Sequence, residues 1–123
     1  MPTPRTVVLV VDDEPLIRWS LGDDLRDQGF HVLEASDADE AIATIMGNPE
    51  IEAIVTDIDM PGTMDGFRLA AFVRGRWPSI RIIVTSGNWT ADNVSVRCCE
   101  RFVAKPYDPK VVARAIRETI AAL

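Results

Sequence analysis

The chain has 123 residues, 47% of them hydrophobic and 26% charged, with a formal net charge of −6. That is the size and composition of one globular domain with its own core, and the acidic balance speaks against direct binding of DNA or RNA. No run approaches the roughly 18 apolar residues of a membrane span, and the lead-in to Thr6 has no secretory hydrophobic region.

Short apolar runs alternate with helix-like segments. Strands are predicted at Thr6–Val11, Phe30–Ala35, Ala53–Asp57, Ile80–Thr85 and Arg101–Ala104. The first helix opens near Glu14–Pro15, places Ile17, Leu21 and Leu25 on one face and stops at "QGF". The second is capped by Ser36 or Asp37 and carries Ala38, Ala41, Ile42 and Ile45 up to Gly47. The third runs from about Asp65 to Arg76 with Phe67, Leu69, Ala70 and Val73. A fourth, after "SGNWT", has only the weak pattern of Ala91, Val94 and Val96. The fifth is capped by Asp108, has Pro109 at its first position, and aligns Val111, Val112, Ala115, Ile116 and Ile120.

Strands of almost unbroken apolar character alternating with helices predict a parallel sheet covered on both faces. No repeat, linker or low-complexity segment interrupts this order, so a single α/β domain over residues 1–123, without an effector domain, is expected. Cys98 and Cys99 are adjacent and are read as reduced thiols of a cytoplasmic protein. His31, the single histidine, is read as decorating the start of a strand.

In such folds ligands bind beyond the carboxyl ends of the strands. Strand one ends in Asp12 and Asp13, strand three in Asp57, strand four in Thr85 and Ser86, and strand five in Lys105 and Pro106. Acids at strand ends often do no more than cap the next helix, but capping does not predict agreement among four strands. Clustered carboxylates repel unless a positive charge lies among them, and they form the hard oxygen site that suits Mg²⁺. A carboxylate beside such a cation can attack phosphorus, and the charge spread over phosphoryl oxygens needs fixed donors. Asp57 is the candidate nucleophile because it ends the central strand alone. Asp12 and Asp13 are candidate metal ligands, and Thr85 and Lys105 the candidate donors.

The segments "VVDDEPLIR", "TDIDMPG", "DGFRLA", "VTSG" and "FVAKPY" together resemble the landmarks of the receiver (response regulator) domain of bacterial two-component signalling, over essentially the whole chain. The resemblance implies a flavodoxin-like (βα)5 three-layer sandwich with strand order 2-1-3-4-5. It implies that Asp57 accepts a phosphoryl group from a histidine of a sensor kinase or histidine phosphotransfer protein, self-catalysed rather than as a conventional enzyme. Asp13, Asp57 and the backbone carbonyl of Asp59 would bind Mg²⁺, with Asp12 holding a coordinated water. Thr85 and Lys105 would contact the phosphoryl oxygens, and a cis peptide before Pro106 would aim Lys105. Thr85 and Phe102 would form the switch read by an unknown downstream protein; the plainer reading of Phe102 is a half-buried strand residue.

Two departures stand out. "MPGTMDG" carries an extra residue after Asp59, reshaping the loop beside the site. The stretch from Thr85 to Lys105 is short, with "CCERF" where a Gly-Ala pair is usual, so the fourth helix is expected to be short, shifted or irregular. That weakens the case for dimerisation through the fourth helix and fifth strand, and a monomer or weak dimer is expected. Asp59 either tunes hydrolysis of the phosphate or is a solvated loop acid. Trp19 falls off the core face of the first helix and, with Pro106 and Tyr107, is a candidate docking residue for the phosphodonor. Trp77 is read as packing, and Trp89 as either lining the site or covering the core. Rival readings are a haloacid-dehalogenase-type phosphohydrolase using Asp57 and Asp59, and a flavodoxin-like mononucleotide binder, whose phosphate the acids after strand one would repel.

Overall fold

The computed structural model describes residues 5–60, 62, 64–87 and 99–122. In chain order the elements are β1 (Val7–Val11), α1 (Pro15–Asp27), β2 (His31–Ala35), α2 (Ala38–Gly47), β3 (Ile51–Asp57), α3 (Gly66–Arg76), β4 (Arg81–Ser86), β5 (Arg101–Ala104) and α4 (Pro109–Ala121). The helix expected between β4 and β5 falls on 88–98, and with it Trp89 and Cys98, outside the described residues. The helix expected fifth is therefore α4.

All five strands pair in parallel, in the order β2-β1-β3-β4-β5. The alternation inside β1 shows why its sequence is apolar throughout. Leu9 and Val11 face one core with Ile54, Leu69, Val73 and Ile82. Val8 and Val10 face the other with Leu21, Leu25, Val55, Val112 and Ile116. Helices α2 and α3 contribute to the first core, α1 and α4 to the second, which is the three-layer arrangement expected. No helix among the described residues is long and apolar enough to cross a membrane.

Local chemistry sets the helix starts. Asp37, Asp65 and Asp108 each accept a backbone N–H from the first turn of α2, α3 and α4, at 2.8, 2.9 and 2.9 Å. Such a cap is worth about 1 kcal/mol over alanine. Pro15 and Pro109 occupy first-turn positions, where the missing N–H costs nothing. After α1 the chain turns through Gly29 at φ +99°, a conformation that favours glycine.

The strands match expectation to within two residues. β3 begins earlier than expected, at Ile51, because Ile51 pairs with Val7 ahead of an irregularity in the β1–β3 ladder. One helix face differs. Leu21, Gly22 and Leu25 are the buried residues of α1, whereas Ile17 lines a surface groove. Trp77 does pack: it caps α3, rests on the α2/α3 core and meets Phe72 edge-on with centroids 6.0 Å apart.

Candidate functional site

The order β2-β1-β3 puts the carboxyl ends of β1 and β3 side by side at the point where the chain's winding reverses. Val11 pairs with Thr56, so Asp12 and Asp57 leave adjacent strands at the same level. Asp57 pairs with Thr85 on β4, and Thr85 with Val103 on β5. Four strand ends thus converge, and each contributes a side chain of the type the sequence pointed to.

Asp12, Asp13 and Asp57 each offer a carboxylate oxygen within 4.8 Å of the others. Asp12 and Asp57 are buried and Asp13 is partly open. The Lys105 ammonium stands 3.1 Å from Asp12 Oδ2 and 3.3 Å from Asp57 Oδ2, joining the ends of β1, β3 and β5. The Lys105–Pro106 peptide is cis, as the resemblance implied, and the Lys105 N–H donates to the Ser86 carbonyl at 2.8 Å.

Burial pushes the Asp57 carboxyl up to about 6; Lys105 opposes the rise and Asp12 adds to it. Burial acts to lower the Lys105 ammonium, but Asp12 and Asp57 outweigh it, so its pKa is raised and it stays charged. Asp12 and Asp57 therefore share the Lys105 ammonium, with the Asp13 carboxylate in the same cluster. Three carboxylate oxygens within 4.8 Å of one another form the all-oxygen donor set that suits a hard divalent ion such as Mg²⁺.

Asp59 follows Asp57 by two residues. Its N–H donates to Asp57 Oδ1 at 3.2 Å, and its own Oδ2 accepts the Ser86 hydroxyl at 2.6 Å. The Ile58 N–H donates to the Thr85 carbonyl, and the Gly66 N–H to the Ile58 carbonyl, tying the loop after β3 to both neighbours. Gly66 is there because α3 starts against that loop: a Cβ on it would collide with the Asp57 carbonyl and lie 2.6 Å from Ile58 Cα. Phe102 is half-buried, pairs with Val84 and packs on the α2/α3 core.

Between α1 and the segment after β5 lies a groove of about 680 Å³, lined by Leu16, Ile17, Ser20, Pro106, Tyr107 and other residues, with Lys105 among them. Burial pushes the Tyr107 hydroxyl up to about 12, so it is neutral. Trp19 is exposed, as expected, but is not among the residues lining the groove; the exposed aliphatic beside it is Leu16.

Sequence reasoning named Asp12, Asp13, Asp57, Asp59, Thr85 and Lys105, and the fold gathers them at one edge. It gave no role to Arg18, whose guanidinium donates to the Asp12 carbonyl at 2.8 Å, nor to Ser86 or Gly66. The "DG" of "MDGF" and the serine of "VTSG" were visible signals, but their partners lie far away in sequence.

The sequence profile of the response regulator receiver domain matches residues 8–117. The hydrogenase transcriptional regulatory protein HoxA of Cupriavidus necator is 34% identical over 126 residues, covering 99% of this chain and 26% of that protein. The sensor histidine kinase RcsC of Salmonella typhi is 30% identical over 115 residues, covering 94% of this chain and 12% of that protein. The chain thus spans only a minor part of the length of either relative. Among solved structures, a response regulator receiver domain protein from Clostridium thermocellum superposes with a TM-score of 0.87 at 25% identity, covering 94% of each chain. By its fold, by the placement of its strand-end side chains and by this match over most of its length, the chain belongs to the response regulator receiver domain family of two-component systems.

Proposed function

We propose that the domain accepts a phosphoryl group on Asp57 from the phosphohistidine of a sensor kinase or histidine phosphotransfer protein. The observation that carries this reading is the Lys105 ammonium shared between Asp57 and Asp12 at the rim of the sheet, with Asp13 in the same cluster. Similarity to part of a sensor histidine kinase and to part of a transcriptional regulator supports a place in such a relay.

The residues divide the work. An Asp57 oxygen forms the new bond to phosphorus while the phosphorus–nitrogen bond of the donor breaks, and the electron pair leaves with the imidazole. Lys105 and the Thr85 hydroxyl stabilise the charge on the phosphoryl oxygens. Asp12, Asp13, Asp57 and the backbone carbonyl of Asp59 are the groups proposed to hold Mg²⁺, Asp12 through a water. When bound, the ion would neutralise carboxylates and phosphoryl oxygens together. Thr85 and Phe102 carry the change to a downstream protein, Thr85 from β4 and Phe102 from β5. Exposed Trp19, with Pro106 and Tyr107 at the groove, is the proposed docking surface for the donor.

The product is a stoichiometric phosphoprotein, so turnover of a phosphate ester is not expected. Membership of the receiver family leaves the dehalogenase-type alternative without support.

The test is treatment of the purified chain with acetyl phosphate and MgCl₂, followed by intact mass. The expected result is an acid-labile gain of one phosphoryl group, lost with EDTA and in Asp57→Ala. A stable gain in the Asp57→Ala variant, or none in the wild type, overturns the proposal.

A further inference from the structure

Asp12 is held at every polar handle. Its N–H donates to the Ala35 carbonyl at 3.2 Å, Oδ1 accepts the Glu14 N–H at 2.9 Å, and Oδ2 accepts Lys105 at 3.1 Å. The remaining handle, its carbonyl, accepts from Arg18 Nη1 at 2.8 Å. That carbonyl belongs to the peptide unit joining Asp12 to Asp13. Holding the rotation of that planar peptide restrains where both side chains leave the backbone, since only ψ of Asp12 and φ of Asp13 remain free beside it.

Arg18 is itself fixed. Its Nε lies 3.3 Å from Glu34 Oε1, and both side chains are largely covered, at 13% and 22% exposure. Glu34 Oε1 is buried without a hydrogen bond, so this ion pair is its contact in the site. Arg26 Nη2 holds the other oxygen of Glu34 at 3.1 Å and also donates to the Val32 carbonyl at 3.2 Å. Glu34 pairs with Val10 in the sheet, at a point where α1 passes close: a Cβ on Gly22 would lie 3.3 Å from Glu34 Oε2. An acid on the helix-covered side of β2 thus braces a guanidinium that holds the turn after β1.

We infer that Arg18, braced by Glu34, is a positioning residue that sets the affinity of the Asp12–Asp13 pair for a divalent cation. The inference rests on the cation reading above and goes beyond it by assigning a role to residues that do not touch the ion. Groups that orient metal ligands from behind typically carry 10–100-fold in affinity.

Two forces predict opposite signs. Arg18 is a cation close to an acidic cluster, so deleting it by charge alone would tighten binding of another cation. Deleting it as a brace loosens the turn and weakens binding. Arg18→Lys keeps the charge but replaces the rigid fork that reaches both the Asp12 carbonyl and Glu34.

The experiment is calorimetric titration with MgCl₂ alone, and with MnCl₂ alone, of the wild type, Arg18→Met, Arg18→Lys and Asp13→Asn, with thermal melts alongside. The expected result is binding by the wild type, loss in Asp13→Asn, and about tenfold weaker binding in both Arg18 variants. Unchanged or tighter binding in the Arg18 variants, whatever their melting temperature, overturns the inference while leaving the cation reading standing. Wild type and Asp13→Asn behaving alike would sink the cation reading itself, and the brace with it. Should Arg18→Met fail to fold, Arg18→Lys decides by the same criterion.

Discussion

The Ser86 hydroxyl donates to the Asp59 carboxylate at 2.6 Å, across 27 positions of sequence and two neighbouring strand ends. A charged acceptor makes this the stronger kind of hydrogen bond, and it holds an anion at the rim of Asp57. On the proposed function, that carboxylate is placed to orient a water attacking the phosphoryl group. Asp59→Ala is expected to slow dephosphorylation by about a hundredfold, the lower end for a lost proton acceptor. Ser86→Ala, which frees the carboxylate without removing it, is expected to have a smaller effect in the same direction. Loss of acid-labile label over time measures both; an unchanged lifetime in Asp59→Ala makes it a solvated loop acid.

Asp57→Asn is expected to stabilise the metal-free protein at neutral pH. Burial raises the folded-state pKa of Asp57 from 3.8 to about 6. The unfolded chain therefore gives up this proton first, and this group's contribution to stability is full below pH 4 and is lost as pH rises to about 6. A neutral isostere should recover at most about 3 kcal/mol at pH 7.5 in EDTA, with the gain fading towards pH 4. Urea denaturation at the two pH values reads this, and a gain independent of pH would contradict it.

Removing the shared cation should do the reverse. Lys105→Met leaves Asp12 and Asp57, both buried, without their common partner. Loss of one member of a buried ion group typically costs about 3–5 kcal/mol, with the lower figure expected here because Asp57 can take up a proton. Since Lys105 opposes the upward shift of Asp57, its removal raises that pKa further. The deficit should therefore shrink with acid and with added MgCl₂, as thermal melts across pH would show.

Gly66→Ala tests how tightly α3 sits on the loop after β3. The added methyl meets backbone, the Asp57 carbonyl and Ile58 Cα, rather than a side chain able to swing aside. A cost of about 3 kcal/mol is expected, at the upper end of ordinary overpacking. Gly75, with open space around its Cβ position, is the control: Gly75→Ala in the same helix should be neutral or slightly stabilising in the same urea titration.

Trp19→Ala and Tyr107→Ala probe donor docking. Trp19 is 53% exposed and makes no use of the core, so its removal should leave stability unchanged while weakening phosphotransfer from a histidine donor. Phosphorylation by acetyl phosphate, which needs no docking surface, should proceed at the wild-type rate in Trp19→Ala. Equal loss with both donors would place the defect in the site rather than the interface.

Much of this molecule is written in local pattern. The apolar strands, the helix starts near Ser36 or Asp37, Asp65 and Asp108, and the acids, hydroxyl and lysine at the strand ends could be read in order, because each depends on neighbours a few residues away. Their convergence was legible too, since a parallel sheet brings all its carboxyl ends to one edge whatever the details. Pairings between distant positions were not. Whether Ser86 reaches Asp59, whether Arg18 turns to the Asp12 carbonyl, and whether Ile17 lies in a groove rather than the core depend on strand stagger and helix rotation. The amino-acid order determined which groups arrive at the edge. Only the packing of α1 and of the segments after β3 and β5 decided which of them touch, because a hydrogen bond needs donor and acceptor within about 3 Å and periodicity in sequence carries no information at that scale.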